Sequence, residues 1–493
     1  MGGMVLGIDV GTSAVKVVLA DEAETIVAER EAPLDILRPG PGASEQHPDW
    51  WWEATAGVLD GLARDEPSAM ARVAGIGLSG QMHGAVLLGA DDRPLRPAML
   101  WNDGRAGPQA RDLRRTHPHL AAIVGVPPMA GFTGPKIPWL IANEPGLVER
   151  IRTVMLPKDY VRFRLTGEKA TDVSDAAGTW WFDEAARTWS VEAARATGLD
   201  PAVLPPALES PAPAGRLRPE LAARWGMTGP VIVAAGAGDA AAGAIGIGAV
   251  RDGDAFISLG TSGQLFVSNA QYRPAPEQAV HAFCHAVPGR WFQMGAMLNG
   301  ASCLAWLAGF VGSDVATLLA EAEARFRGPG SLLFLPYLTG ERTPHDDPDA
   351  RGVLFGLTPA SDRADAMQAV LEGVAFSFAD ARDALAGSGT RVTRAGVIGG
   401  GARSAFWMKI LASVLDVTLV RYAGAAKGPA VGAARLARLA LGQGAVESVC
   451  VPPPVLDETS PDPTLVEAYR ERLGRFRTLY RTLKPLFADQ GQG

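Results

Sequence analysis

A duplicated α/β fold of two large domains is predicted, and three observations predict it. The chain has 493 residues, about twice what one hydrophobic core organises comfortably. Two segments half a chain apart repeat each other at an offset of 249 residues, Ile8 to Leu19 and Ile257 to Val267. Around and after them, short apolar runs of strand length alternate with helix-length periodic ones. In each copy of the repeat an apolar strand, a Gly-Thr-Ser turn and a second apolar strand follow in order, so each half opens on a β-hairpin. The boundary falls in the Gly-rich stretch Gly246 to Asp254, which gives an N-terminal domain over 1–248 and a C-terminal domain over 249–493.

The remaining elements follow in chain order. Trp50 to Leu62 is a helix capped by Asp49. Arg72 to Leu78 and Ala85 to Leu88 are strands, and the Pro-rich piece Leu204 to Pro213 is a loop. Pro230 to Val250 has the length of a membrane span. Its central Asp239 and six glycines make it a buried strand, a turn and a packed helix instead. Ala364 to Leu385 is an amphipathic helix with Met367, Val370, Leu371, Val374 and Phe378 on its apolar face. Gly396 to Ile398 is a strand, Ala405 to Leu415 a helix, Val417 to Val420 a strand and Val451 to Pro454 a loop. Leu465 to Leu486 closes the chain as a helix with a solvated basic face of Arg470, Arg472, Arg475, Arg477 and Arg481.

Composition narrows the class. Apolar residues make up 47% and charged ones 20%, so a core is affordable and disorder is excluded. The net charge of -7 argues against nucleic-acid binding by bulk positive charge. Three cysteines build no disulfide framework and fit a cytoplasmic protein. The N-terminus lacks the basic region of a signal peptide. Glycine, at 58 residues, is well above the usual share of about 7%.

Several residues carry chemistry. A Gly-Thr-Ser turn between strands exposes backbone N–H groups and hydroxyls, an anion cradle. Two such turns at matching places can grip one polyphosphate from opposite sides. No G-x-x-x-x-G-K-[ST] occurs, which excludes a P-loop. Asp9, at a strand end beside the first turn, is expected to position Mg²⁺, the alternative being that it satisfies turn amides. Asp239 has no ionisable neighbour within ten residues on either side. Its apolar setting raises its pKa and suits a general base for a hydroxyl, a role compatible with capping the following helix. Gly399-Gly400-Gly401-Ala402-Arg403-Ser404 lets a nucleotide lie against the main chain, or lets a helix pack closely on a strand. Gly75-Ile76-Gly77-Leu78-Ser79-Gly80 matches G-x-G-x-x-G, yet its glycines lie inside a strand and no helix follows, so a dinucleotide site is not expected. Gln81-Met82-His83-Gly84 and Leu100-Trp101-Asn102-Asp103-Gly104-Arg105 together offer hydroxyl partners and a stacking indole, as a sugar site would. His281, Cys284 and His285 lie on opposite strand faces and lack a fourth ligand, which disfavours zinc.

These residues resemble the FGGY carbohydrate kinases, and within that family the xylulokinase branch more closely than the glycerol kinases. SGQMHGAVLL (79–88), AMLWNDGR (98–105), LPKDYVRFRLTGE (156–168), TDVSDAAGTWWFD (171–183), SLGTSG (258–263), FCHAVPGRW (283–291), FLPYLTGERTPHDDP (334–348) and GGGARSAFW (399–407) carry the resemblance from about Met4 to about Phe487. It implies the two-domain actin-like ATPase (ribonuclease H-like) fold and transfer of phosphate from ATP to the terminal hydroxyl of a ketopentose, D-xylulose first among them. It implies that Asp239 is the proton acceptor, that Met82, His83, Trp101 and Asp103 meet the sugar, and that Thr12, Ser13, Lys16, Thr261, Gly400 and Gly401 hold the nucleotide, with Asp9 on Mg²⁺. A small-molecule sugar partner, no nucleic acid, no membrane and a homodimer are expected. Ala240 departs from the Asn common after the catalytic Asp, so ribulose, a deoxyxylulose or a polyol stay open as substrates. A sugar-sensing protein on the same scaffold would release no ADP, and a nicotinamide dehydrogenase would transfer hydride.

Overall fold

The computed structural model describes residues 3–424 and 428–488. Its first sheet holds β1 (Met4–Val10), β2 (Ala14–Ala20), β3 (Ile26–Pro33), β4 (Val73–Gly80), β5 (Pro213–Arg216), β6 (Ile232–Ala234) and β7 (Ala237–Gly238). They run in the order β5-β6-β4-β1-β2-β3, with β7 also on β4. The second holds β8 (Ala255–Leu259), β9 (Gly263–Asn269), β10 (His281–Cys284), β11 (Trp291–Met297), β12 (Arg394–Ile398), β13 (Thr418–Tyr422) and β14 (Val455–Thr459), ordered β10-β11-β9-β8-β12-β13-β14. The repeat seen in the sequence is a repeat of topology. The row β3-β2-β1-β4-β6 corresponds strand for strand to β11-β9-β8-β12-β13, each with two antiparallel pairs and then two parallel ones.

The helices that frame the two sheets and the site include α1 (Pro48–Asp65), α2 (Thr133–Asn143), α3 (Pro157–Thr166), α4 (Asp239–Ile247), α5 (Ser302–Phe310), α6 (Arg363–Gly387), α7 (Ala405–Leu415), α8 (Gly428–Ala440) and α9 (Pro463–Ala488). Two of them cross over. Helix α4 packs its Ala242, Ile245 and Ile247 with Phe256, Phe266 and Phe292 of the second sheet. Helix α8, from the second half, packs Ala430, Ala434 and Ala437 against Val5, Val18 and Ala20 of the first sheet. Glycine makes this exchange possible. A Cβ on Gly77 would lie 1.8 Å from the Ala433 carbonyl oxygen, and one on Gly7 would lie 2.0 Å from that of Ala430. The two helices also touch by backbone, where a Cβ on Gly432 would lie 1.9 Å from Ala242 O. Part of the glycine excess therefore serves helix–sheet contact, and Gly75 and Gly77 are packing positions inside β4, not a dinucleotide loop.

The span-like segment 230–250 is β6, β7 and α4, largely buried in the core. No single helix among the described residues is long and apolar enough to cross a membrane. Four local expectations need correction. Pro48 starts α1, so its cap is His47, whose Nδ1 accepts from Asp49 N at 3.3 Å. The Asp49 carboxylate instead accepts from Tyr160 Oη at 2.5 Å and Arg164 Nη1 at 2.7 Å. Helix α6 is not amphipathic in place. It is buried nearly all round, because α9 covers its polar side and satisfies Glu372 through Tyr469 Oη (3.1 Å) and Asp380 through Arg477 Nε (2.6 Å). For the same reason the basic face of α9 is only partly solvated, and Arg472 is buried with its guanidinium on Leu332 O at 2.6 Å. Finally, the stretch 204–213 is not all loop, since Ala207–Leu208 pairs with Thr171–Asp172.

Candidate active site

Strands β1, β4 and β7 run parallel and end together, with Asp9, Ser79 and Ala237 in register across them. Carboxyl ends of parallel strands are where ligands meet such sheets. Here that edge delivers Asp9 from β1 and Asp239 from the first turn of α4. Ser79 Oγ donates to Asp9 Oδ1 at 3.0 Å. Gly238 occupies the N-cap, and Asp239 accepts the N–H of Ala240 at 2.7 Å. Asp239 is solvent-accessible, yet neighbouring protein crowds its carboxylate. Burial pushes its pKa up to about 7, the charge of Asp9 adds to the rise, and the N–H groups of Ala240 and of Asp239 itself oppose it. Burial also raises Asp9, against the Ser79 hydrogen bond and the Lys16 charge. Lys16 stands directly across the hairpin from Asp9. Both residues line a cleft of about 540 Å³ that the start of α8 closes with Pro429 and Ala430.

A carboxylate at Asp9 whose charge is felt by Asp239 suits a divalent cation at this edge. Among the described residues no group of three or more His, Cys, Asp and Glu forms a metal cage. One or two protein carboxylates plus substrate phosphates is the usual Mg²⁺ arrangement. The donor set therefore fits Mg²⁺ carried in with a nucleotide.

The two Gly-Thr-Ser turns are tied differently. In the first, Thr12 Oγ1 donates to Gln81 Oε1 at 2.9 Å and accepts from Trp101 Nε1 at 3.0 Å. Gln46 Nε2 donates to Thr12 O at 2.7 Å, and Ser13 is exposed. This turn is thus built into the proposed sugar cluster. In the second, Thr261 is exposed while its carbonyl accepts from Gly300 N at 2.9 Å and Ser302 Oγ at 2.7 Å, at the start of α5. The glycines after β12 divide their tasks. Gly400 is open, with nothing near a hypothetical Cβ, whereas one on Gly401 would lie 2.5 Å from Leu259 Cγ. Gly401 is a packing glycine, and Gly400 offers the backbone.

In the sugar cluster, Met82 is wedged between Gly178 and Gly238, where added Cβ atoms would meet it at 2.8 and 2.9 Å. That contact brings Met82 against the residue just before Asp239, while the His83 ring lies against Gly178. The His83 ring bonds Gly178 O through Nδ1 at 2.5 Å. A carbonyl only accepts, so Nδ1 carries the proton and Nε2 is left as an acceptor. Burial keeps the ring neutral by pushing its pKa well below the usual value. Trp101 is 37% exposed, its indole hinged on Thr12. Asp103 departs from expectation. It is 1% exposed, and its oxygens take Ser44 N at 2.9 Å and the Arg105 backbone and guanidinium at 2.6 to 3.1 Å. An arginine two residues away claims the carboxylate, so Asp103 shapes the loop that carries Trp101.

One network escaped the sequence reading of the residues themselves. Lys158 of α3 is fully buried, with Nζ 2.6 Å from Asp159, 2.8 Å from Asp172 and 3.2 Å from Asp175. Ser174 accepts from Gly238 N at 3.2 Å and donates to Asp172 at 2.6 Å. The network therefore holds the residue just before Asp239. A lysine and three aspartates gathered in the short stretches 158–159 and 172–175 were the signal available. His281, Cys284 and His285 form no metal site. His281 stacks on Phe283 at 5.3 Å, His285 bonds Ala249 O at 3.1 Å, and Cys284 accompanies buried Glu184.

Comparison with known proteins matches residues 4–246 to the N-terminal domain of the FGGY family of carbohydrate kinases and residues 255–441 to its C-terminal domain. The chain is 44% identical to a xylulose kinase of Escherichia coli, over 98% of this chain and all of that one. It is 42% identical to a xylulose kinase of Klebsiella pneumoniae over the same shares. The crystal structure of a xyloylose kinase from Brucella ovis superposes with a TM-score of 0.96 at 47% identity, covering 98% of this chain and all of that one.

Proposed function

This chain belongs to the FGGY family of carbohydrate kinases, and from that premise we propose that it transfers the γ-phosphoryl group of ATP to the terminal hydroxyl of D-xylulose. The observation that carries the reading is Asp239. A carboxylate lifted toward neutrality follows Gly238, against which Met82 packs, and feels the charge of Asp9. In this mechanism Asp239 accepts the proton of the terminal hydroxyl as the oxygen attacks phosphorus in line. His83 Nε2 accepts from a sugar hydroxyl, Met82 gives the carbon chain an apolar wall, and the Trp101 indole stacks against it. Thr12, Ser13 and Lys16 from one lobe and Thr261 and Gly400 from the other hold the phosphates and nucleotide. Mg²⁺, held by Asp9 and the phosphates, would neutralise part of the charge that transfer develops. The two domains we take as 1–248 and 249–493, in a cytoplasmic homodimer.

The test is ADP release against D-xylulose, D-ribulose, 1-deoxy-D-xylulose and glycerol. D-Xylulose is expected to give the highest kcat/KM. A tenfold preference for another compound would reassign the substrate, and no ADP with any of them would leave a sugar sensor. Ala240→Asn restores an amide beside Asp239 and is expected to lower the KM for D-xylulose by about fivefold, one hydrogen bond's worth. Acid should also inhibit. The folded pKa of Asp239 is raised to about 7, so the base is progressively protonated as pH falls through that value. A kcat/KM profile from pH 5 to 9 should bend near pH 7. A limb near pH 4, where an ordinary Asp titrates, would remove Asp239 from the role of base.

A further inference from the structure

His83 carries a backbone that a non-glycine residue avoids, with φ of 69°. Something must hold it there, and the holder comes from α2. Lys136 Nζ donates to His83 O at 2.7 Å and to Met99 O at 2.9 Å, and Thr133 Oγ1 donates to His83 O at 3.1 Å. Lys136 is wholly buried and makes no ion pair among the described residues. A buried ammonium without a carboxylate is costly, which burial shows by pulling its pKa down to about 7, with Asp103 and Arg105 acting on it in opposite directions. Such a residue is kept for what its donors bind. They bind two carbonyls, one in the segment of Met82 and His83, the other two residues before Trp101. Hydrophobic packing alone would fill this space at less cost, as Ile137 and Leu140 do beside it.

We propose that Lys136 is a positioning residue of the sugar site, a buried staple that joins the His83 and Trp101 segments and fixes their spacing. It acts without touching substrate. Its donors hold His83 in the left-handed backbone that lets Nδ1 reach Gly178 O and leaves Nε2 for a hydroxyl. The inference rests on the reading that His83 meets the sugar.

Steady-state kinetics of the full chain separates the two. Lys136→Met is expected to raise the KM for the ketose by about 10- to 100-fold, the weight of a charge-assisted hydrogen bond, while kcat and the KM for ATP change less than about threefold. Thr133→Val removes one weaker donor and should raise the same KM by about threefold. A purely structural lysine would lower the melting temperature without this split. Sugar KM values unchanged in Lys136→Met, or moved equally with that for ATP, overturn the staple provided His83→Ala does raise the sugar KM. If His83→Ala leaves it unchanged, the placing of His83 at the sugar falls and the staple falls with it. Should Lys136→Met fail to fold, Thr133→Val decides: a rise confined to the sugar KM supports the proposal, and an unchanged sugar KM overturns it.

Discussion

Asp239→Asn is expected to lower kcat by about 10³-fold or more, within the range that a positioned general base supplies. The amide keeps the size and the helix-terminal position of the carboxylate but accepts no proton. Sugar binding, read by the quench of tryptophan fluorescence, should persist, since His83 and Trp101 are untouched. The fold should not suffer. The folded pKa of Asp239 lies above its unfolded value, so ionisation at neutral pH works against the folded state, and a neutral amide removes that opposition. The variant is therefore expected to melt no lower than the parent at pH 8. Turnover within tenfold of the parent, or a clear loss of thermal stability, would each contradict this account of the residue.

The second large effect is on stability, at the network behind Asp239. Lys158 and Arg162 face Asp159, Asp172 and Asp175, all buried, and two cations do not balance three carboxylates. The excess is removed by a proton, since burial pushes the pKa of Asp175 well above the usual carboxylate value. Lys158→Met then strands two or three buried acids and is expected to cost about 3–5 kcal/mol, measured by denaturant unfolding. Asp175→Asn replaces a protonated acid by a neutral amide of the same shape and should cost less than about 1 kcal/mol. The sign with pH follows. A carboxyl raised on folding contributes stability that is full below its unfolded pKa and is lost as pH rises toward the folded one. Asp175→Asn should therefore flatten the fall of stability as pH rises above about 4. A large cost at Asp175, with a small one at Lys158, would mean the proton sits elsewhere.

Much of the architecture was legible because it rests on local pattern. The two hairpins were visible as a repeat, since alternation and a Gly-Thr-Ser turn specify a hairpin wherever they occur. Helix α7 was read to the residue, because Ser404 caps it and nine apolar positions fill it. Asp239 stood out because a lone acid in an apolar run is costly wherever it lies. Partners distant in sequence were not legible. Asp103 looked like a sugar ligand until its oxygens were seen to hold Arg105 and Ser44. Gly401 looked like Gly400 until Leu259 was found against it. The basic stripe of α9 looked solvated until Arg477 met Asp380 across from α6.

The sequence by itself determined that two homologous halves each present a phosphate-sized turn, and that one acid stands apart from every other charge. Those are properties of spacing and composition, which survive without coordinates. Only the tertiary structure decided that the two halves exchange helices through glycine-lined contacts, that Asp9 and Asp239 come to one edge of the first sheet on either side of β4, and that Lys136 and Lys158 are buried among partners from distant segments. Each of these depends on pairing between segments tens to hundreds of residues apart, and no local rule of periodicity, capping or turn chemistry encodes which strand lies beside which.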